Sequence, residues 1–337
     1  MTATTPEIIT ASTTPGWQRW LRRHGWTTGV WLLLVAMTIW YSTLIPRFGA
    51  FEVSTIVNNS LPLVYLAVAQ AVIVIAGGID LGVGGMLVLV NVTAARFMLD
   101  QPFGMTLLIA VLVVIGAAAL NGGVGWVINV SRVPDIVITL GTLFIYQGMA
   151  LAILPNPGGG TSDGFRWIFT GSEVGIGRNP WPAIVMIIVP VLLVAWWMGK
   201  TRSGLSLYAI GSNRTAAYLS GINAARAKIT AYAIGGAFAA MAGLAVTAIA
   251  GRGNPNIVGG NFTLNSVAAI VLGGVALTGG IGSVIGAVAA GIVLFFLNPI
   301  LTAMGVDPNR AQIIRGLLIV LVMMVAGLLE LRRQRRS

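Results

Sequence analysis

Apolar stretches of membrane-spanning character recur along almost the whole chain, and this constrains the fold more than any single motif. A spanning helix needs about 20 predominantly apolar residues. By that rule ten spans fall at 29–45, 56–76, 81–97, 104–129, 134–154, 182–198, 230–250, 264–278, 282–304 and 311–329. The third is short, and the eighth is short and interrupted by glycine. Only 9% of the 337 residues are charged and 56% are hydrophobic, whereas a soluble domain carries about 25% charged residues. One aqueous core cannot bury this much apolar surface, so lipid is the solvent. The expected fold is all-α: a polytopic integral membrane domain over 29–329, with a tail at 1–28 and a basic tail at 330–337. Residues 1–16, rich in Thr, Ser and Pro, read as disordered. The segment after the first stretch, YSTLIPRF, has no small-residue cleavage site, so that stretch reads as a retained helix and not a signal peptide.

The net charge of +11 would suit a nucleic-acid partner, but its distribution argues against one. With ten spans both termini share one side. Thirteen of the 20 basic residues fall on that side and six on the other, with Arg315 inside the last span. Lys and Arg are retained in cytoplasmic loops, so both termini are expected in the cytoplasm. The loop 199–229 is then cytoplasmic, and 155–181, full of turn formers, faces outward.

Several chemistries are excluded. There is no cysteine, hence no disulfide or thiolate metal site. The single histidine, His24, sits among arginines and reads as a surface residue. GKT at 199–201 resembles the end of a phosphate-binding loop, but Val194 stands where the first glycine is needed and no strand precedes it. Nine carboxylates, none paired in a catalytic motif, leave little for acid–base chemistry. No cofactor or metal is expected in this chain.

Two features remain. In AVIVIAGGIDLGVGGMLVLV (71–90), Asp80 is the only charge, and Gly77, Gly78, Gly82, Gly84 and Gly85 surround it. An ionisable residue within a membrane marks a pathway by default. The plainer reading makes Asp80 the N-cap of the third span, and the two are compatible if the helix break borders the pathway. The glycines allow close backbone approach and a broken helix, which survives in a membrane only inside protein or along a cavity. IVLGGVALTGGIGSVIGAVAAGIVL (270–294) repeats the style, and paired broken segments point to a transporter site. Polar side chains within the spans, Asn58, Asn59, Gln70, Asn91, Asn121, Thr139, Gln147, Asn265 and Asn298, are candidate pathway contacts or interhelical hydrogen bonds. Gln70, Asp80, Asn91, Asn121, Thr139 and Asn265 are carried forward as the pathway set. Amides both donate and accept, which suits an uncharged, hydroxyl-rich solute. Pro134 and Asp135 read as an ordinary helix start.

Four segments together resemble the permease subunits of bacterial ABC importers for ribose and related monosaccharides: GGIDLGVGG at 77–85, LNGGVGWVINVSRVPDIVITLGT at 120–142, TRSGLSLYAIGSNRTAAYLSGI at 201–222 and IVLGGVALTGGIGSVIGA at 270–287. Two positions depart from the family pattern, Gly82 standing for a usual Ser and Leu205 for a frequent Arg. The resemblance implies a multi-pass subunit of a prokaryotic cytoplasmic (inner) membrane. It would pair with a second permease chain, identical or paralogous, and take a monosaccharide from an extracytoplasmic binding protein. Cytoplasmic ATPase subunits, or a tandem ATPase, would bind ATP and Mg and drive import. Branched-chain amino-acid and nucleoside permeases share the architecture, and a stand-alone secondary transporter is the rival class. The resemblance also makes 204–222 the ATPase-docking segment. There Tyr208, Ala209 and Ile210 form an apolar lead-in after Gly204, and Gly211 with Ser212 and Asn213 forms a turn. Asn213 is positioned to cap a short helix that Gly221 ends. Ala216, Ala217 and Ser220 are small enough for that helix to seat in a cleft.

Overall fold

The computed structural model describes residues 16–307, 309–314, 316, 317, 320, 321 and 324, with 16–24 described as backbone only. The side chain of His24, most of the expected tenth span and the basic tail lie outside the described residues. The element order is α1 (Gly16–Leu44), α2 (Ala50–Ile75), α3 (Val83–Phe97), α4 (Phe103–Ser131), α5 (Asp135–Ile153), α6 (Asp163–Thr170), α7 (Trp181–Lys200), α8 (Arg202–Ser212), α9 (Arg214–Leu219), α10 (Ala224–Ala250), α11 (Gly259–Leu272) and α12 (Val284–Ala303). Among the described residues the only β feature is an isolated bridge between Gly158 and Gly253.

Among the described residues, seven helices are long and apolar enough to cross a membrane: α1 from Gly25, α2, α4, α5, α7, α10 and α12. Two of the ten expected spans are corrected. At 15 and 14 residues, α3 and α11 reach only about 22 Å at 1.5 Å per residue, short of a hydrocarbon core about 30 Å thick. Helix α1 also begins at Gly16, well inside the expected tail.

The layering follows burial. The most apolar window of α2 is 89% buried and that of α4 only 17%. So α2 is the central post, and α4 lies outermost with Leu108, Val111, Leu112 and Ile115 exposed. Helix α10 packs against α2, α3 and α4, and α12 against α2 and α1. Small residues permit this: β-carbons at Gly235 and Gly236 of α10 would overlap Ile73 of α2 and Ala117 of α4.

The two short helices start side by side. Gly84 and Gly259 touch backbone to backbone, leaving no room for a β-carbon on either. From there α3 runs alongside α10, since Gly243 lies against Leu87 and Val90, and Asn91 bonds Thr247. Helix α11 runs the other way, toward a turn at 273–283 that lies against the end of α2. The chain reaches Gly259 by doubling back: the Asn254 amide donates to Asn91 Oδ1 at 2.8 Å, two turns along α3 from Gly84. The first break falls in the glycine segment expected from the sequence, whereas the second short helix starts at Gly259, ahead of the expected segment 270–294, whose first glycines form the turn at 273–283 instead.

Candidate functional site

The first break, 76–82, is held by side chains from four helices. Asp80 is fully buried. Its Oδ1 accepts from the Gly82 amide at 2.7 Å and its Oδ2 from Asn121 Nδ2 at 2.8 Å. The N-cap expectation is therefore corrected. The cap residue of α3 is Gly82, in right-handed conformation and with no side-chain cap bond. The Asp80 carboxylate closes a tight turn just ahead of the helix and ties that turn to α4. The second proton of the same amide group bonds the Tyr232 carbonyl at 3.2 Å, bringing in α10.

A second cluster lies beside it. Lys228 Nζ meets Asp135 Oδ1 at 2.7 Å with both side chains largely buried. The Tyr232 hydroxyl lies 2.9 Å from Asp135 Oδ2 and 3.1 Å from the Ile79 carbonyl. Gly78 covers this cluster, since a β-carbon there would stand 3.0 Å from Asp135 Oδ2 and 3.1 Å from the Tyr232 hydroxyl. This group is not visible in the sequence, where Asp135 reads as a helix start and Lys228 as a charge of the loop 199–229; Pro134 is the N-cap of α5 and not its first helical residue. The available signal was Lys228 standing just ahead of the apolar run of α10, where a charge that is buried demands a partner.

The pathway set divides. Asp80, Asn121 and Thr139 come together: the Thr139 hydroxyl bonds Asp135 O at 2.8 Å and approaches Ile79 O at 3.4 Å. Asn91 lies apart and spends its amide on Thr247, the Arg252 carbonyl and the Asn254 amide. Gln70 is fully buried in α2 with neither amide atom bonded among the described residues. Asn265 is half-buried on α11. Thr263, not anticipated, stitches the breaks together: its hydroxyl accepts from the Gly84 amide and donates to Leu81 O, each at 3.1 Å.

Glycine geometry is sharper than composition suggested. Gly77 has φ +76°. A β-carbon on Gly85 would stand 2.8 Å from Leu143 O, and one on Gly82 would overlap the Thr142 hydroxyl.

On the side assigned to the cytoplasm, α8 and α9 fill the connection between α7 and α10. Thr201 caps α8 by accepting from the Gly204 amide at 3.0 Å, so the GKT threonine serves a helix start. Asn213 caps α9 through the Ala216 amide at 2.9 Å. Gly221, at φ +80°, ends it with Gly221 N on Tyr218 O and Ile222 N on Ala217 O, a left-handed helix stop. Gly204, Ile210 and Ala217 are buried against the chain itself, so they do not form an outward surface. The Tyr208 hydroxyl turns inward to Gly282 O at 3.3 Å, and burial holds its pKa above the ordinary tyrosine value, so it remains a proton donor. Ala209 and Gly211 are half-buried, whereas Asn213, Ala216, Ser220 and Gly221 are exposed, as are Leu205, Tyr218 and Leu219. Tyr218 and Leu219, 72% and 79% exposed, are large side chains standing out from a capped helix, whereas the sequence pattern pointed to the small residues.

Apolar helices long enough to cross a membrane, two short glycine-broken helices and a two-helix connection between α7 and α10 have the make-up of a membrane permease. Residues 53–323 match the family described as the permease component of the branched-chain amino acid transport system, and the chain belongs to that family. It is 32% identical over 301 residues to the ribose import permease protein RbsC of Escherichia coli (strain K12), covering 87% of this chain and 90% of RbsC. It is 32% identical over 289 residues to the galactose/methyl galactoside import permease protein MglC of Haemophilus influenzae, covering 82% and 86%. A third relative, the autoinducer 2 import system permease protein LsrC of Yersinia enterocolitica, is 32% identical over 290 residues, covering 84% and 77%. No solved structure matches the chain. The chain is thus a multi-pass permease of the cytoplasmic (inner) membrane, related to sugar import permeases of the ribose group, and a transport component.

Proposed function

We propose that this chain forms the membrane pathway of an ATP-driven importer for a monosaccharide. A second permease chain would complete the pathway, a soluble binding protein would deliver the sugar from outside, and a separate cytoplasmic ATPase would hold ATP and Mg. The observation that carries the reading is the α8–α9 element. It presents Tyr218 and Leu219 outward while its inner face is locked onto the broken segments. A stand-alone secondary transporter has no need of an exposed apolar helix on its cytoplasmic side. Asp80 is already satisfied by Gly82 and Asn121, and Asp135 by Lys228 and Tyr232, so neither carboxylate is left open to a coupling cation, which favours an uncharged solute. The three relatives above are named for ribose, for galactose and methyl galactoside, and for autoinducer 2.

The test is reconstitution in proteoliposomes with the ATPase and binding protein encoded beside it, measuring uptake of labelled pentoses and hexoses. Uptake should require both partners and internal ATP, and the purified permease alone should hydrolyse none. Uptake by the chain alone, driven by an ion gradient, would overturn the proposal in favour of a secondary transporter.

A further inference from the structure

Apart from the Asp80 cluster, glycines from three distant parts of the sequence meet at one point. Gly211, in the last turn of α8, sits so close to the Ile75 carbonyl and the Gly280 amide that a β-carbon would occupy their space. The Gly280 amide donates to that same Ile75 carbonyl at 2.9 Å. A β-carbon on Gly279 would stand 3.0 Å from Cα of Gly77 and 3.1 Å from the Gly211 carbonyl, and one on Gly280 would overlap Ser212. Gly77, Gly279 and Gly280 all have positive φ, so none tolerates a side chain without strain. The end of α8 is therefore wedged, backbone on backbone, between the first break and the turn at 273–283. Beyond α9, a second fastening follows within α10, where Lys228 and Tyr232 grip Asp135 and the Ile79 carbonyl.

We infer that the α8–α9 element is fastened on both sides to the break at 76–82, so that its displacement moves Asp80 and the starts of α3 and α11 directly. The route through α7, its neighbour in sequence on the other side, is then secondary. A displaced side chain absorbs motion by changing rotamer, whereas Gly77, Gly211 and Gly279 meet with no side chain between them. The contact is short and stiff in the way close-packed interiors are. Because Thr263 bonds both Leu81 and Gly84, motion of the first break also reaches α11. Gly211 and Tyr232 are positioning residues in this scheme: they touch no solute and set where the break lies. The inference rests on the reading of α8–α9 as the ATPase-docking element.

The experiment is hydrogen–deuterium exchange on the assembled permease–ATPase complex, nucleotide-free and with a non-hydrolysable ATP analogue plus Mg. The peptides followed are 201–222, 76–82 and 273–283, with the exposed first half of α4, residues 103–116, well ahead of Asn121, as control. In the wild type, all three segments should change exchange rate together, by about tenfold, while the control stays fixed. In Tyr232→Phe and Gly211→Ala, 201–222 should still respond while the response of 76–82 falls by at least about threefold. If 201–222 ignores nucleotide in the wild type, the docking reading fails and this inference fails with it. If 201–222 responds and both breaks stay fixed, docking stands and the fastening is overturned. The wild-type measurement decides even if Gly211→Ala does not assemble.

Discussion

At residue scale, Gly82 and Asp80 show how tightly the first break is drawn. The family pattern has serine where this chain has Gly82, which from sequence makes Gly82→Ser look harmless. The structure reverses that expectation, because a β-carbon at Gly82 would overlap the Thr142 hydroxyl. Gly82→Ser should lower transport several-fold at matched expression, and adding Thr142→Ala should restore it, since that change removes the obstructing oxygen. Equal activity of the single and double variants would show that Thr142 does not set this constraint. For Asp80, each carboxylate oxygen accepts one bond, from Gly82 and Asn121. An asparagine side chain supplies one acceptor oxygen where aspartate supplies two. The Asn121 Oδ1 is unbonded, however, so rotating the Asn121 amide offers an acceptor to the new amide group of the Asp80→Asn variant. Asp80→Asn should therefore retain substantial uptake, while Asp80→Leu, which strands both donors at about 1–3 kcal/mol each, should fail to accumulate. Identical loss in both, read as uptake per molecule inserted, would mean that the charge itself is required.

At the scale of elements, the docking helix pair and the buried ion pair separate what pattern reveals from what it hides. The start of α9 at Asn213 and its stop at Gly221 were legible because capping is local chemistry written in adjacent residues. Which face of α9 looks outward was not legible, since that depends on the helices packed behind it. Small residues suggested the contact surface, yet Ala217 is buried and Tyr218 and Leu219 stand out. Ala217→Arg should accordingly disrupt α9 itself and reduce the amount of folded permease. Tyr218→Asp with Leu219→Ser should leave insertion normal and abolish co-purification with the ATPase, and retained co-purification would remove α9 from the docking surface. The Asp135–Lys228 pair was hidden for a similar reason: its members are 93 residues apart, and nothing local predicts their meeting. Asp135→Asn leaves Lys228 nearly buried without a counter-charge, a loss of up to about 3 kcal/mol. Asp135→Asn combined with Lys228→Met should recover much of the thermal stability that either single change forfeits. Additive losses would show that the pair is not coupled.

At the scale of the whole molecule, the membrane class and most helix positions followed from apolar run length, because lipid demands internally bonded spans of fixed reach. That α3 and α11 reach only partway was not fixed by run length alone, because the glycines that break a helix in place also serve close packing of intact ones. The structure separates these roles. Gly116 and Gly123 of α4 have open space where a β-carbon would point, whereas Gly84 faces the backbone carbonyl of Gly259. That crossing joins segments 175 residues apart, and it is where one half-helix departs toward each membrane face. No side chain stands between them to yield, so even one methyl must push α3 and α11 apart, straining the Thr263 bonds to Leu81 and Gly84. Gly84→Ala should thus lower the melting temperature of the purified permease by several degrees, the shift expected of about 1–3 kcal/mol of overpacking in a chain of this size, and cut uptake at least about tenfold. Gly123→Ala, carrying the same added methyl into open space, should leave both unchanged. If the two variants behave alike, the half-helices do not depend on backbone contact at Gly84, and the crossing is incidental to transport.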